Sequence, residues 1–193
     1  MSDIKLNKIK YLLAVVFLFS TPAVMADPKV MENYHYYIIE PKNSKDLPSA
    51  LDRATPINEN GKTFRGYTHW QVHWTFRFWT TTDGTCTLQQ VNTTVNVDYT
   101  LPQLANTVND EATLAAFQRY ILALKEHEHG HAKNGMDAAN EVESTLTGMS
   151  AASCPAAESM ANEKGQGILR KYSQRDKDYD EQTQHGRTQG AVL

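Results

Sequence analysis

Cysteine is scarce in this chain of 193 residues. There are two, Cys86 and Cys154, and no C-x-x-C pair, a pattern that argues only weakly for metal held by thiolates. A dominant charge is missing as well. The chain carries 19 Lys and Arg against 22 Asp and Glu, for a net charge of −3. No long basic run stands out, so the composition does not advertise the positive surface that nucleic-acid binding requires. No apolar run reaches the roughly 20 residues that a membrane-spanning helix needs; Tyr11–Phe19 has nine. Ten glycines, seven prolines, 40% hydrophobic and 21% charged residues exclude collagen-like, low-complexity and wholly disordered chains. No internal repeat is present. What remains is an ordinary globular composition, long enough for one domain with a real core.

Residues 1–26 read as a secretory signal peptide. Lys5, Lys8 and Lys10 precede the short apolar run, and Val24 and Ala26 are small residues suited to a cleavage site. No cysteine lies near that point, which argues against a lipid anchor. Three of the basic and one of the acidic residues fall within this leader. The mature chain would therefore keep 16 and 21, a net charge of −5, and its residues 27–193 are expected to form one domain with no stable membrane span. Export to the periplasm or beyond would place Cys86 and Cys154 in an oxidising compartment, where a pair is most simply one disulfide.

Within the mature chain, Tyr34–Glu40 reads as a strand stopped by Pro41. Leu47–Ala54 suits one or two helical turns. Thr68–Trp79 alternates with period two, placing Trp70, Val72, Trp74, Phe76 and Phe78 on one face. A turn at Thr82-Asp-Gly84 leads into a second long strand, Cys86–Leu101, in which Val91, Thr93, Val95, Val97 and Tyr99 share a face and Pro102 ends the run. Together the two suggest an antiparallel hairpin. The period then changes. Leu114, Phe117, Ile121, Leu124, Ala138, Val142 and Leu146 recur at steps of three or four, predicting one helix of up to about ten turns, capped at Asn109 or Asp110. Its weak point is Asn134-Gly135. A second helix should start at Ser153-Cys-Pro155 and run toward Tyr179, weakened by Gly165 and Gly167. The fold class expected is α+β: a small antiparallel sheet packed on a long helix, plus a second helix, in the manner of zincins.

The chemistry concentrates in Glu126-His-Glu-His-Gly-His131, which contains His127-Glu128-x-x-His131. On a helix the two histidines lie about 40° apart and can reach a single ion. Glu128 flanks them at about 100° and 60°, where it can take a proton from water as a general base. His129 points about 200° from His127 and reads as solvated. The stripe of Leu114, Phe117, Ile121 and Leu124 continues into both histidines, so they occupy core-facing slots, where polar groups need partners. A Zn²⁺ ion, one per chain, supplies one.

Zinc in a catalytic site takes three protein ligands and keeps an open position. Asp137, Glu158 and His185 are the candidates for the third, and the pattern alone does not choose. In a continuous helix Asp137 points about 240° from His131; Glu158 lies on the following helix; His185 sits in an aperiodic tail. His35, His69 and His73 read as surface residues of the strands.

Four segments carry a resemblance: Thr68-His-Trp-Gln-Val-His-Trp74, the Cys-containing strand ending in Leu101-Pro102, His127-Glu-His-Gly-His131, and Tyr179-Asp-Glu-Gln-Thr-Gln-His-Gly-Arg-Thr-Gln-Gly-Ala191. With these the chain resembles a bacterial family of exported proteins of formally unknown function, described as predicted secreted zinc-dependent proteases. The resemblance implies that His185 completes the site. The leading expectation is thus a periplasmic or secreted metallopeptidase acting on a peptide or protein substrate, with zinc on His127, His131 and His185 and Glu128 as general base. Tyr179 or Arg187 would stabilise the oxyanion and Asp180 would orient a ligand histidine. The rival expectation is a non-catalytic, zinc-stabilised module that binds a partner in the envelope.

Overall fold

The computed structural model describes residues 28–59 and 61–193. The leader assigned to residues 1–26 lies outside the described residues. In chain order the elements are β1 (Lys29–Ile39), α1 (Leu47–Ala54), the short pair β2 (Asn58–Glu59) and β3 (Lys62–Thr63), β4 (Tyr67–Thr80), β5 (Cys86–Leu104), α2 (Glu111–Leu146), β6 (Ser150–Ala151) and α3 (Cys154–Thr183).

The class is α+β, and the main sheet runs β1-β5-β4 with β6 added to the start of β5. β4 and β5 form the expected antiparallel hairpin, from Tyr67↔Thr100 to Thr80↔Cys86. The sheet as a whole is mixed, because β1 pairs with β5 in parallel, Lys29↔Thr94 through Ile39↔Leu104. The chain path explains it. β1 ends beside Leu104 and β4 begins beside Thr100, at the same end of β5, so residues 40–66 return the chain there and reverse its direction. Pro102 does not end β5, which continues to Leu104. β4 reaches only to Thr100, so Pro102, opposite Tyr37 of β1, is unpaired on its β4 side, a place in a sheet where proline is tolerated.

The core forms between β5 and α2. Val91, Val95, Val97, Tyr99 and Leu101 are buried against Phe117, Ile121, Leu124, Ala138, Val142 and Leu146, each large side chain contributing about 1.5–3 kcal/mol. Leu114 departs from the expected stripe and is exposed, while Thr113 turns inward and bonds to the capping Asp110 carboxylate. α2 runs unbroken through Asn134-Gly135. A Cβ on Gly135 would lie 2.8 Å from the Trp70 ring, and one on Gly165 would lie 2.7 Å from Trp74. These glycines are therefore docking points that bring Trp70 and Trp74 of β4 onto α2 and α3.

α3 starts at Ser153, whose hydroxyl accepts from the Ala156 amide. It extends four residues past Tyr179, antiparallel to α2: Tyr172 donates to Glu141 near one end, and Tyr179 packs on His127 near the other. Cys86 and Cys154 are bonded, fixing the first turn of α3 to the start of β5. No helix of the described residues is long and apolar enough to cross a membrane.

Candidate metal centre

Midway along α2, His127 and His131 turn toward α3 and Glu128 toward the start of β4, each at most 9% exposed. The His127 and His131 Nε2 atoms stand 3.4 Å apart. Asp180 Oδ1, from the last turns of α3, lies 3.1 Å from His127 Nε2 and 3.2 Å from His131 Nε2. A tetrahedral ion with ligands at about 2.0–2.2 Å separates them by about 3.3–3.6 Å. Three donors of the right type thus already stand close to that spacing, and this buried group can hold a metal ion.

The outer nitrogen of each imidazole is committed elsewhere. His127 Nδ1 faces Gln189 Oε1 at 3.0 Å, and His131 Nδ1 faces Asp176 Oδ1 at 3.2 Å. Oxygen acceptors there hold the proton on Nδ1 and turn Nε2 toward the shared centre, an arrangement typical of metal-ligating histidines. Asp176 also accepts from Asn134 Nδ2 and Trp70 Nε1, both at 2.6 Å, so one carboxylate ties α2, α3 and β4 together behind His131. Burial pushes the His131 imidazole down, but its bonds to Asp176 and Asp180 outweigh this and lift it to about 10. Burial likewise pushes Asp180 up, and its bonds to His127 and His131 more than reverse that, so Asp180 remains ionised well below the usual carboxylate range.

Glu128 stands beside the triad. Its Oε2 accepts from Thr68 Oγ1 at 2.7 Å, and its Oε1 fills space that only Gly66 leaves open, since a Cβ there would fall 2.4 Å away. Burial raises its carboxyl above the ordinary carboxylate range despite the neighbouring His131 and His127. Glu128, His127, His131 and Asp180 all line a cleft of about 1050 Å³ between the Thr63–Trp70 segment and α3.

The third donor in the buried group is Asp180, expected from sequence only to orient a histidine. His185 stands one step outside it, with Nδ1 3.3 Å from the same Asp180 oxygen and its side chain more than half exposed. The turn that presents it is strained. Gln184 and His185 both have φ of 51° and Gly186 has 80°, a left-handed run that non-glycine residues adopt at a cost of about 1–3 kcal/mol each. Asp137 is turned away from the centre and pairs with Lys133 and Arg175. Glu158 is exposed on the first turns of α3, the end opposite Asp180. Neither reaches the site. Arg187 lines the cleft.

Tyr179 does not present its hydroxyl to the cleft. Its ring stacks on His127 at 5.1 Å, its OH donates to the His127 carbonyl, and it accepts from Gln189 Nε2 at 2.9 Å. Gly130 makes this possible, since a Cβ there would fall 2.1 Å from the Tyr179 hydroxyl. Sequence reading missed Asp176, Gln189, Thr68, Gly66 and Gly130. Asp176, Asp180 and Thr183, at steps of four and three, mark a polar face on α3 that could have been read as facing the histidines. His35, His69, His73 and His129 are exposed, as expected.

A family profile described as "Bacterial protein of unknown function (DUF922)" matches residues 34–186, a span that includes every residue of the triad, Glu128 and His185. The chain belongs to this family. No curated protein and no solved structure matches it.

Proposed function

We propose that the protein is an exported zinc-dependent peptidase in which His127, His131 and Asp180 hold the ion and Glu128 is the general base. The observation that carries this reading is the convergence of two Nε2 atoms and one carboxylate oxygen within 3.1–3.4 Å of one another, with Glu128 adjacent on a cleft. The donor set fits zinc: two imidazole nitrogens and a carboxylate, each imidazole oriented from behind by an oxygen, with an ion taking the place of the proton that His131 Nε2 shares with Asp180 in the metal-free protein. When bound, zinc supplies Lewis acidity toward a carbonyl oxygen and acidifies water in its open coordination position.

The remaining work falls to the chain. Thr68 occupies Glu128 Oε2 and leaves Oε1 to receive the proton of the attacking water and hand it to the leaving amine. The raised carboxyl of Glu128 suits that exchange, because a stronger base takes the proton more readily. His185, which lines the cleft beside Asp180, is the donor offered to a developing oxyanion. Asp176 and Gln189 hold the imidazoles in the required tautomer. The Cys86–Cys154 bond supports export, since such bonds persist in oxidising compartments.

The test is Glu128→Gln. Zinc content measured by mass spectrometry should persist while hydrolysis of an unfolded protein substrate falls by at least about 100-fold. Undiminished hydrolysis by this variant would overturn the assignment. A wild type that binds zinc stoichiometrically yet cleaves nothing would favour the envelope-binding alternative.

A further inference from the structure

Four of the five cations of α3 divide into two groups; the fifth, Lys164, does not line the cleft. Lys171 and Arg175 pair with the α2 carboxylates Glu141 and Asp137. Arg170 and Lys177 line the cleft instead, joined by Arg187 from the tail. These three have no carboxylate partner among the described residues. The other charges of the cleft are largely spoken for. Arg65 is held by Asp52 at 2.7 Å, and Asp176, Asp180 and Glu128 are engaged within the centre. Glu59 lies on the opposite wall. A net acidic protein therefore presents one cationic wall beside its candidate catalytic centre, where a concave surface concentrates the field.

The spacing carries a further meaning. Arg170 and Lys177, seven residues apart, fall on one helix face. Lys177 is about 4.5 Å and Arg170 about 15 Å along the axis from Asp180. An extended peptide advances about 3.3 Å per residue, so these distances match side chains one or two, and four or five, residues from the bond at the metal centre. We propose that the cleft selects anionic peptide segments, with Arg170, Lys177 and Arg187 reading acidic side chains at those positions. The proposal rests on the reading of the cleft as a peptide site and names the substrate class for it.

The test separates binding from cleavage. Fluorescent decapeptides of Gly, Ala and Ser, carrying a Glu, Gln or Lys scanned through each position, are titrated into the zinc-loaded Glu128→Gln protein and followed by anisotropy. Glu peptides should bind about tenfold more tightly than Lys peptides, with the preference fading as salt shortens the screening length from about 30 Å at 0.01 M to about 8 Å at 0.15 M. Adding Arg170→Gln, Lys177→Gln or Arg187→Gln should each weaken Glu-peptide binding by about threefold, at the scanned position that cation faces. The salt titration needs no further substitution, so it stands even where one of these variants folds poorly. Equal binding of Glu, Gln and Lys peptides overturns the proposal, as does wild-type cleavage of all three at one rate, which leaves the peptidase reading intact. Selective capture of Glu peptides without any cleavage by the wild type upholds the anionic cleft and overturns the peptidase reading.

Discussion

Replacing Asp176 by Asn tests the arrangement behind His131 without touching a donor of the triad. The carboxylate accepts three bonds, from His131 Nδ1 and Asn134 Nδ2 on Oδ1 and from Trp70 Nε1 on Oδ2. An amide has one acceptor oxygen. With that oxygen toward His131 and Asn134, the new NH₂ faces the indole N–H at a site where the two atoms now stand 2.6 Å apart; flipped, it faces two donors. Either way at least one donor is left unpaired, at about 1–3 kcal/mol, and the remaining bonds lose their charge assistance. Metal-free Asp176→Asn should therefore lose about 2–4 kcal/mol in urea unfolding. Zinc affinity, measured by competition with a chromophoric chelator, should fall 10–100-fold, the usual cost of removing such a partner. Trp70→Phe is the control. It removes the indole bond but leaves the carboxylate on His131, so stability should drop while zinc affinity stays within about threefold, under 1 kcal/mol. Wild-type zinc affinity in Asp176→Asn, or equal losses in both variants, would refute the orienting role.

Two further outcomes concern stability alone. Removing the disulfide by Cys86→Ala with Cys154→Ala frees a loop of 68 residues' separation and should cost about 4 kcal/mol on the chain-entropy model; a loss under about 1 kcal/mol in guanidinium unfolding would show that α3 holds its place without it. Burial pushes the Tyr120 phenol up to about 12, while the unfolded chain gives up that proton near pH 10. Burial pushes Tyr37 and Tyr99 up as well, so stability should hold below pH 10 and fall above it, and Tyr120→Phe should reduce the fall between pH 10 and 12 by about 3 kcal/mol in a pH series of unfolding curves.

Local pattern made much of the fold legible. The alternation in Thr68–Trp79 and in Cys86–Leu101 reports a half-buried hairpin because side chains there point to opposite faces, and β4 and β5 pair through those runs. The steps of three and four from Phe117 to Leu146 report α2 for the corresponding reason. What escaped sequence reading depends on contacts between elements. The parallel pairing of β1 follows from where residues 40–66 return the chain, which no period encodes. Gly130 and Gly135 look like defects in α2 until Tyr179 and Trp70 are seen resting on them. Asp176 lies in a run of mixed charges that no period singles out, and Asp180, expected only to orient a histidine, comes within reach of both Nε2 atoms only once α3 lies antiparallel to α2.

That antiparallel pairing explains how a straight helix can carry a three-donor centre. A helix that supplies two histidines one turn apart cannot bring a third donor from its own next turns, as the outward course of Asp137 shows. The third must come from a neighbour held in register along its axis. A slide of α3 by one residue, about 1.5 Å, would lengthen or crowd contacts that now stand at 3.1 and 3.2 Å. Such a slide is opposed at both ends. Cys154 is bonded to Cys86 at the start of the helix. At its end the left-handed turn through Gln184, His185 and Gly186 folds the chain back, so that Gln189 bridges His127 and Tyr179. Trp70 and Trp74 fix the middle by bonding to Asp176 and Asn162 of α3. The strained turn belongs to this scheme: it costs free energy locally, and in return it returns Gln189 to the back of His127 and presents His185 at the cleft, both from residues that follow the last donor by fewer than ten positions.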